Sequence, residues 1–376
     1  MACGNGSTIK AETLVEYKKN ERVSIPKILN SMAYYPSLRD YKTKAERVRI
    51  IESIQRLKTS IAAEVPGKSL EENLLIATWN IREFGKNAKA KRLKESFFYM
   101  AEIISSFDLV AIQEVGDNLD DLKTLMKILG PEWDYMVTDI TEGASGNGER
   151  LAFVFDTRKV LFRKVVGEIV LPAEKGKPTN QLARSPFIVA FQSGWFKFYI
   201  TTVHIYYGKA TKTSAEYLRR AEEIKAVATF LKKRTNREKE NHILLGDFNI
   251  TARDKNDITY KALLDGGVKI PANLIALSNA NSNTDRTMPY DQIAYIDQPG
   301  YMEFVNNKNS VGVLDYYQQV YRTTDATVYD SEVKKTKLSY KQWKTFQLSD
   351  HLPLWIEFKV DFSENYLNKL KTEEYE

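Results

Sequence analysis

His242-Ile243-Leu244-Leu245-Gly246-Asp247-Phe248-Asn249 decides how the rest of the chain is read. Its apolar run has no polar alternation, which predicts a strand buried on both faces. The run then stops at a glycine and two polar residues. Asp247 and Asn249 stand two apart, so an extended backbone aims both side chains to one side. A carboxylate and an amide at the end of a buried strand are costly unless something occupies the space beside them. A water to be activated, a phosphate oxygen or a hard cation would suit. The alternative is a plain turn, since Gly, Asp and Asn all favour turns.

The pattern recurs along the chain. An apolar segment over 74–79 runs into Asn80, one over 109–112 runs into Gln113-Glu114, and one over 196–205 carries His204 near its end. A Gly-rich stretch, 141–148, leads into Glu149-Arg150 and a strand over 151–155. Ser349-Asp350-His351 precedes an alternating strand over 352–358. Further strands are predicted at 160–171, 187–192 and 292–296, and helices at 89–107, 119–129 and 214–235. The stretch 297–347 reads as loop-rich. Polar residues that strand formation does not require collect at strand ends, where ligands of α/β sheets bind.

A chain of 376 residues with 43% hydrophobic residues accommodates one large α/β domain and an appendage. Periodic apolar residues, Ala45, Val48, Ile51, Ile54, Leu57 and Ile61, predict an amphipathic helix within 24–65 with a basic outer face, ended by Pro66-Gly67. The division is therefore a basic helical extension over 1–70, a catalytic domain over 71–361 and an acidic tail over 362–376. Residues 1–70 hold 13 Lys and Arg against 7 Asp and Glu, while the remainder holds 42 of each, so attraction to polyanions is expected to concentrate in the extension. Cys3 is the only cysteine and no apolar leader or membrane-length segment is present, which fits a cytoplasmic protein, or a secreted one if a signal preceded this numbering.

Three histidines, 204, 242 and 351, lack zinc-site spacing, and there is no second cysteine. Neither a phosphate-binding Gly-x-x-x-x-Gly-Lys loop nor a Gly-x-Ser-x-Gly elbow occurs, which excludes the motor NTPases and serine hydrolases that use them. The oxygen-rich residues favour Mg²⁺ or Mn²⁺. His242, the lysines near 334–337 and the tail read as surface features.

Trp79-Asn80-Ile81-Arg82-Glu83-Phe84-Gly85, Ile112-Gln113-Glu114-Val115, Gly246-Asp247-Phe248-Asn249, Tyr290-Asp291-Gln292-Ile293 and Ser349-Asp350-His351-Leu352-Pro353 together resemble the ordered motifs of the endonuclease/exonuclease/phosphatase superfamily. The resemblance implies a four-layer α/β sandwich of two packed β-sheets flanked by helices. Ala183-Arg184-Ser185-Pro186, Thr202-Val203-His204 and Glu149-Arg150 are similar to the deoxyribonuclease I branch.

That resemblance implies roles. Glu114 binds the divalent metal with Asn80 and Asp350, and Asp247 and Asn249 orient the attacking water or the phosphate. His351 with Asp291 is the base, and His204 with Glu149 protonates the leaving oxygen. Arg184 and Asn80 hold the scissile phosphate. The implied activity is Mg²⁺-dependent cleavage of DNA with little sequence preference. The alternative is a phosphatase or a phospholipase C-like enzyme of sphingomyelinase type, acting on a small phosphorylated molecule or lipid. Two positions depart from the pancreatic enzymes, whose Arg and Tyr at these places reach into the minor groove: they are Gly116 and Asn147 here. The basic extension is the expected substitute for those phosphate contacts.

Overall fold

Every residue from Asn241 to Asp247 is buried, as an apolar run without alternation requires. The computed structural model describes residues 28–29, 33–86, 89–141, 147–172, 181–298, 300–307 and 309–372. A short ribbon pairs β1 (Ile28–Leu29) with β2 (Lys68–Ser69). The remaining strands are β3 (Asn73–Phe84), β4 (Leu109–Val115), β5 (Trp133–Val137), β6 (Arg150–Asp156), β7 (Leu161–Glu168), β8 (Phe187–Ser193), β9 (Phe196–His204), β10 (Asn241–Asp247), β11 (Asp291–Ile296), β12 (Val311–Val313) and β13 (Leu354–Lys359). They form a six-stranded sheet, β12-β13-β3-β4-β6-β5, and a five-stranded sheet, β11-β10-β9-β8-β7.

Each sheet has one parallel pair, β3 with β4 and β9 with β10, and these pairs lie against each other. Aromatic packing fills the space between the sheets further out: Phe191 of β8 meets Phe155 and Phe153 of β6 at centroid distances of 5.0 and 6.1 Å. One polar bridge crosses the centre. The buried Gln113 amide donates to Thr78 Oγ1 at 3.1 Å within its own sheet and to Thr202 Oγ1 at 2.8 Å in the other. A satisfied buried amide is directional where apolar contacts are not, so it pins the sliding of one sheet over the other.

Helices α1 (Lys44–Glu64), α2 (Lys94–Ser105) and α3 (Asp120–Leu129) associate in sequence, α3 reaching β5. On the other side α4 (Ala215–Glu238) packs on α5 (Ile258–Asp265) and on β10 and β11. The result is a four-layer α/β sandwich.

Within α1 the buried stripe is Ile50, Ser53, Ile54, Leu57 and Ile61, while Val48 and Ile51, expected on that face, are exposed. Spacings of three, four and seven residues starting from Ile50 explain the choice. Ile50, Ile54, Leu57 and Ile61 join the same core as the strands. The helix's cations are turned to the protein too. Arg49 pairs with Glu95 at 2.6 Å, Arg47 donates to Tyr41 O at 2.8 Å, and Arg56 donates to Gln319 O at 3.3 Å. The expected basic outer face is thus largely engaged in internal contacts.

The stretch expected to be loop-rich carries β12, α7 (Asp330–Lys334) and α8 (Tyr340–Gln347), after the short α6 (Ala272–Ala276). A capping box between Ser339 and Gln342 starts α8. The described part of the expected acidic tail is a helix, α9 (Ser363–Thr372), with Tyr366 against Trp195 at 5.5 Å and Lys369 and Lys371 in its last turn.

His242 is not a surface residue. It is 1% exposed, stacked on Tyr199 at 5.0 Å, and both ring nitrogens lack a hydrogen-bond partner. Burial, with Arg234 nearby, pushes its pKa down to about 4. Between pH 6.5 and 4 the unfolded chain therefore binds a proton that the folded protein refuses. The stability is full above about 6.5 and falls on acidification, by about 3 kcal/mol once both states can be protonated. In urea unfolding at pH 7.5 and 4.5, His242→Phe is expected to lose less stability between the two pH values than the parent. Equal losses would show that the ring is solvated in the folded state.

Candidate active site

Strand register assembles the first row of the site. His204 ends β9, Asp247 ends β10 beside it, and Asp291 begins β11 on the other side of Asp247, all in mutual register. Gly246 makes the parallel pair fit. Its φ is +136°, and a Cβ there would stand 2.1 Å from Val203 O of β9. The second row comes from the other sheet, where Asn80 of β3 pairs with Gln113, next to Glu114. His351 enters from the segment before β13 and bridges Asn283.

Each imidazole has a carboxylate oxygen close to its Nδ1, and for His351 the contact is a hydrogen bond. His351 Nδ1 is 2.8 Å from Asp291 Oδ2, and His204 Nδ1 is 2.8 Å from Glu149 Oε2. Both Nε2 atoms face the same oxygen, Asp247 Oδ2, at 3.8 Å from His351 and 3.5 Å from His204. Asn80 Nδ2 donates to that oxygen at 3.0 Å and to Glu114 Oε1 at 3.1 Å. One buried carboxylate oxygen is thus the hub of the cluster.

The charges follow from these distances. Burial would raise Asp247, but the imidazoles of His351 and His204 and the Asn80 amide outweigh it and hold the carboxyl below its usual value. Burial would lower His351, but Asp291 and Asp247 outweigh it and hold the ring well above the usual imidazole value. Glu149 is likewise kept well below the carboxylate range, against burial, by His204, Arg184 and Lys86.

Backbone strain gathers here. Eight described non-glycine residues have positive φ, and Glu83, Glu114, Asn147 and Asn249 among them are at the site. Asn249 is clamped in that conformation: its N–H donates to Asp247 Oδ1 at 2.8 Å and its side-chain amide to Ile205 O at 2.8 Å.

Arg184, expected to hold the phosphate, is present but partly committed, with Nε 2.7 Å from Glu149 Oε2 and Nη1 donating to His204 O at 3.4 Å. Asp350, expected to help bind the metal, has a side chain 42% exposed that pairs with Arg82 at 3.4 Å. Gly116 has a reason to be glycine, since a Cβ would come within 2.9 Å of Gly85 O and 2.7 Å of Lys86 Cγ. Lys86 fills that side and reaches Glu149 Oε1 at 3.2 Å.

Lys86 was missed by sequence reasoning, as were two serines. Ser282 Oγ donates to Asp291 Oδ2 at 2.6 Å and accepts from Asp291 N at 3.0 Å. Ser349 Oγ donates to Asn80 O at 2.6 Å and accepts from His351 N at 3.0 Å, tying the histidine segment to β3. Ser349 stood inside a quoted motif and could have been found. Ser282 and Lys86 had no signal.

Asn80 and Glu114 could hold a hard cation: Asn80 Oδ1 is buried with no hydrogen-bond partner, and the Glu114 carboxylate accepts from the same amide's Nδ2 at 3.1 Å. Asp247, Asp291 and His351 also bring ligand atoms within 4.8 Å of one another. There His351 Nδ1 and Asp291 Oδ2 are already joined by a hydrogen bond of 2.8 Å.

The model of the endonuclease/exonuclease/phosphatase family matches residues 77–316, well over half of the chain. The chain belongs to that family. Members of the family are hydrolases acting on phosphate esters. D. rerio TDP2 complexed with a single-strand DNA product is similar at 16% identity, with a TM-score of 0.51 over 76% of this chain and 98% of that one. The Bacteroides thetaiotaomicron mannosyl-6-phosphatase Bt3783 is 16% identical, with a TM-score of 0.46 over 76% and 99%. The human Nocturnin catalytic domain with bound sulfate is 15% identical, with a TM-score of 0.45 over 77% and 95%. No curated protein sequence matches the chain significantly. Among the described residues no helix is long and apolar enough to cross a membrane.

Proposed function

We propose that the protein is a Mg²⁺- or Mn²⁺-dependent phosphodiesterase that cleaves DNA with little sequence preference. The observation carrying this reading is the pair of imidazoles facing one Asp247 oxygen, each ring fixed from behind by its own carboxylate. A carboxylate on Nδ1 sets the tautomer and leaves Nε2 to give or take a proton. Two such rings on either side of one carboxylate suit an in-line displacement, which needs a proton removed from the nucleophile and one supplied to the leaving group.

In this reading Asp247 orients the attacking water, the neutral form of His351 accepts its proton to give the charged ring that Asp291 and Asp247 favour, and His204 donates one to the departing oxygen. Glu149 and Asp291 stabilise the charged ring in each case. Asn249 presents polar groups to the phosphate, and Arg184 both fixes Glu149 and lends its remaining donors to the phosphate oxygens. Glu114 and Asn80 hold the cation, which when bound offsets charge developing on the phosphoryl oxygens. DNA is favoured over a small phosphorylated molecule because the same fold accommodates a DNA strand in D. rerio TDP2. Parallel assays of plasmid nicking, phospholipid headgroup release and sugar-phosphate hydrolysis, with Mg²⁺ or EDTA, test it. Nicking that EDTA abolishes is expected, and hydrolysis confined to either small substrate overturns the choice of DNA.

A further inference from the structure

The loop after His204 carries an aromatic ring whose position is fixed more firmly than an exposed side chain ordinarily is. Tyr207 is 41% exposed. The guanidinium of Arg220, on α4, lies 4.6 Å from the Tyr207 ring and 4.8 Å from the Tyr217 ring, so it is layered between two tyrosines. Arg220 itself is fully buried. Its Nη1 donates to Asn249 O at 2.8 Å, and its Nη2 donates to Lys209 O at 3.0 Å and to Tyr207 O. A fixed planar cation thus backs one face of Tyr207 and ties it to Asn249 of the catalytic cluster.

A second ring stands on the same rim. Tyr290 is half-buried, 5.5 Å from the His351 ring. Burial raises its pKa, and so do the neighbouring Tyr207 and Asp247. A planar ligand group laid against the exposed part of the ring loses little side-chain entropy, because the ring is already oriented.

We propose that Tyr207 is a stacking platform for a nucleobase flanking the scissile phosphate, and that it takes over from the minor-groove groups whose places are Gly116 and Asn147 here. The proposal rests on the nuclease reading above and narrows it: the ring selects substrates that have a base beside the cleaved bond. Because a ring face reads any base, the selection is for the presence of a base and not for its identity.

The test compares kcat/KM of the full-length protein with Mg²⁺ on a single-stranded oligonucleotide and on an abasic sugar-phosphate chain of the same length. Wild type, Tyr207→Phe and Tyr207→Leu are assayed after thermal melts establish that all are folded. The preference for the base-bearing chain is expected to fall roughly tenfold in Tyr207→Leu and to persist in Tyr207→Phe, which keeps the ring. An unchanged preference in Tyr207→Leu overturns the stacking role while leaving the nuclease reading intact. A loss in Tyr207→Phe equal to that in Tyr207→Leu assigns the effect to the hydroxyl and overturns it too. A wild type that nicks a plasmid assayed alongside but cuts neither chain overturns the platform alone, and one that cuts none of the three overturns the nuclease reading and the platform with it.

Discussion

His351→Ala lowers turnover on a phosphodiester by two orders of magnitude or more, and His204→Ala does the same. Positioned proton transfer contributes on the order of 10² to 10⁴ in rate, and each ring is held for it by a carboxylate at 2.8 Å. Because both rings act on one carboxylate oxygen, the losses should not add. The double variant is expected to be only slightly slower than the worse single one, since residues that work as a unit give strongly non-additive losses. Each histidine is about a tenth exposed or less, so alanine leaves a small void near the rim of the core, and circular dichroism melts separate a lost fold from lost chemistry. Near-normal turnover in a folded single variant would remove that ring from the reaction.

What the chain discloses without coordinates is a set of polar residues that each interrupt an apolar run, and the structure gathers them in one cluster. Asn80, Glu114, His204 and Asp247 were legible for that reason. Their arrangement was not, since it depends on the pairing of β9, β10 and β11, which are separated by long stretches of chain. Lys86 and Ser282 lie in loops, where polar residues are the norm and carry no signal. His242 misled for the opposite reason: a histidine next to Asn241 at the start of a strand reads as the wet end, whereas Arg234, Tyr199 and His242 form a layered stack that covers it. The same limit applies to α1. Its cations are spaced as on a solvated face, and only the position of Glu95 on α2 reveals that Arg49 is turned inward.

Glu114→Gln is the substitution that decides where the cation sits. Glu114 has a φ of 61° at the irregularity between Ile112 and Val115 of β4, a conformation that costs free energy and persists only where its surroundings fix it. Its Oε2 accepts from Glu83 N at 2.9 Å and its Oε1 from Asn80 Nδ2 at 3.1 Å. Glutamine preserves the shape and removes the charge. The concentration of Mg²⁺ needed for half-maximal activity is expected to rise roughly tenfold or more, a loss at least as large as that seen when groups behind a metal ligand are removed. Mn²⁺ binding measured by calorimetry without substrate should weaken in parallel, which distinguishes lost coordination from slowed chemistry. Asp291→Asn serves as the contrast, because its carboxylate is spent on His351 and Ser282 and should matter for turnover but little for Mn²⁺ affinity. If Glu114→Gln leaves calorimetric affinity unchanged while Asp291→Asn abolishes it, the cation belongs among Asp247, Asp291 and His351. His351 could then not be the base, since the nitrogen or carboxylate that sets its tautomer would be a metal ligand.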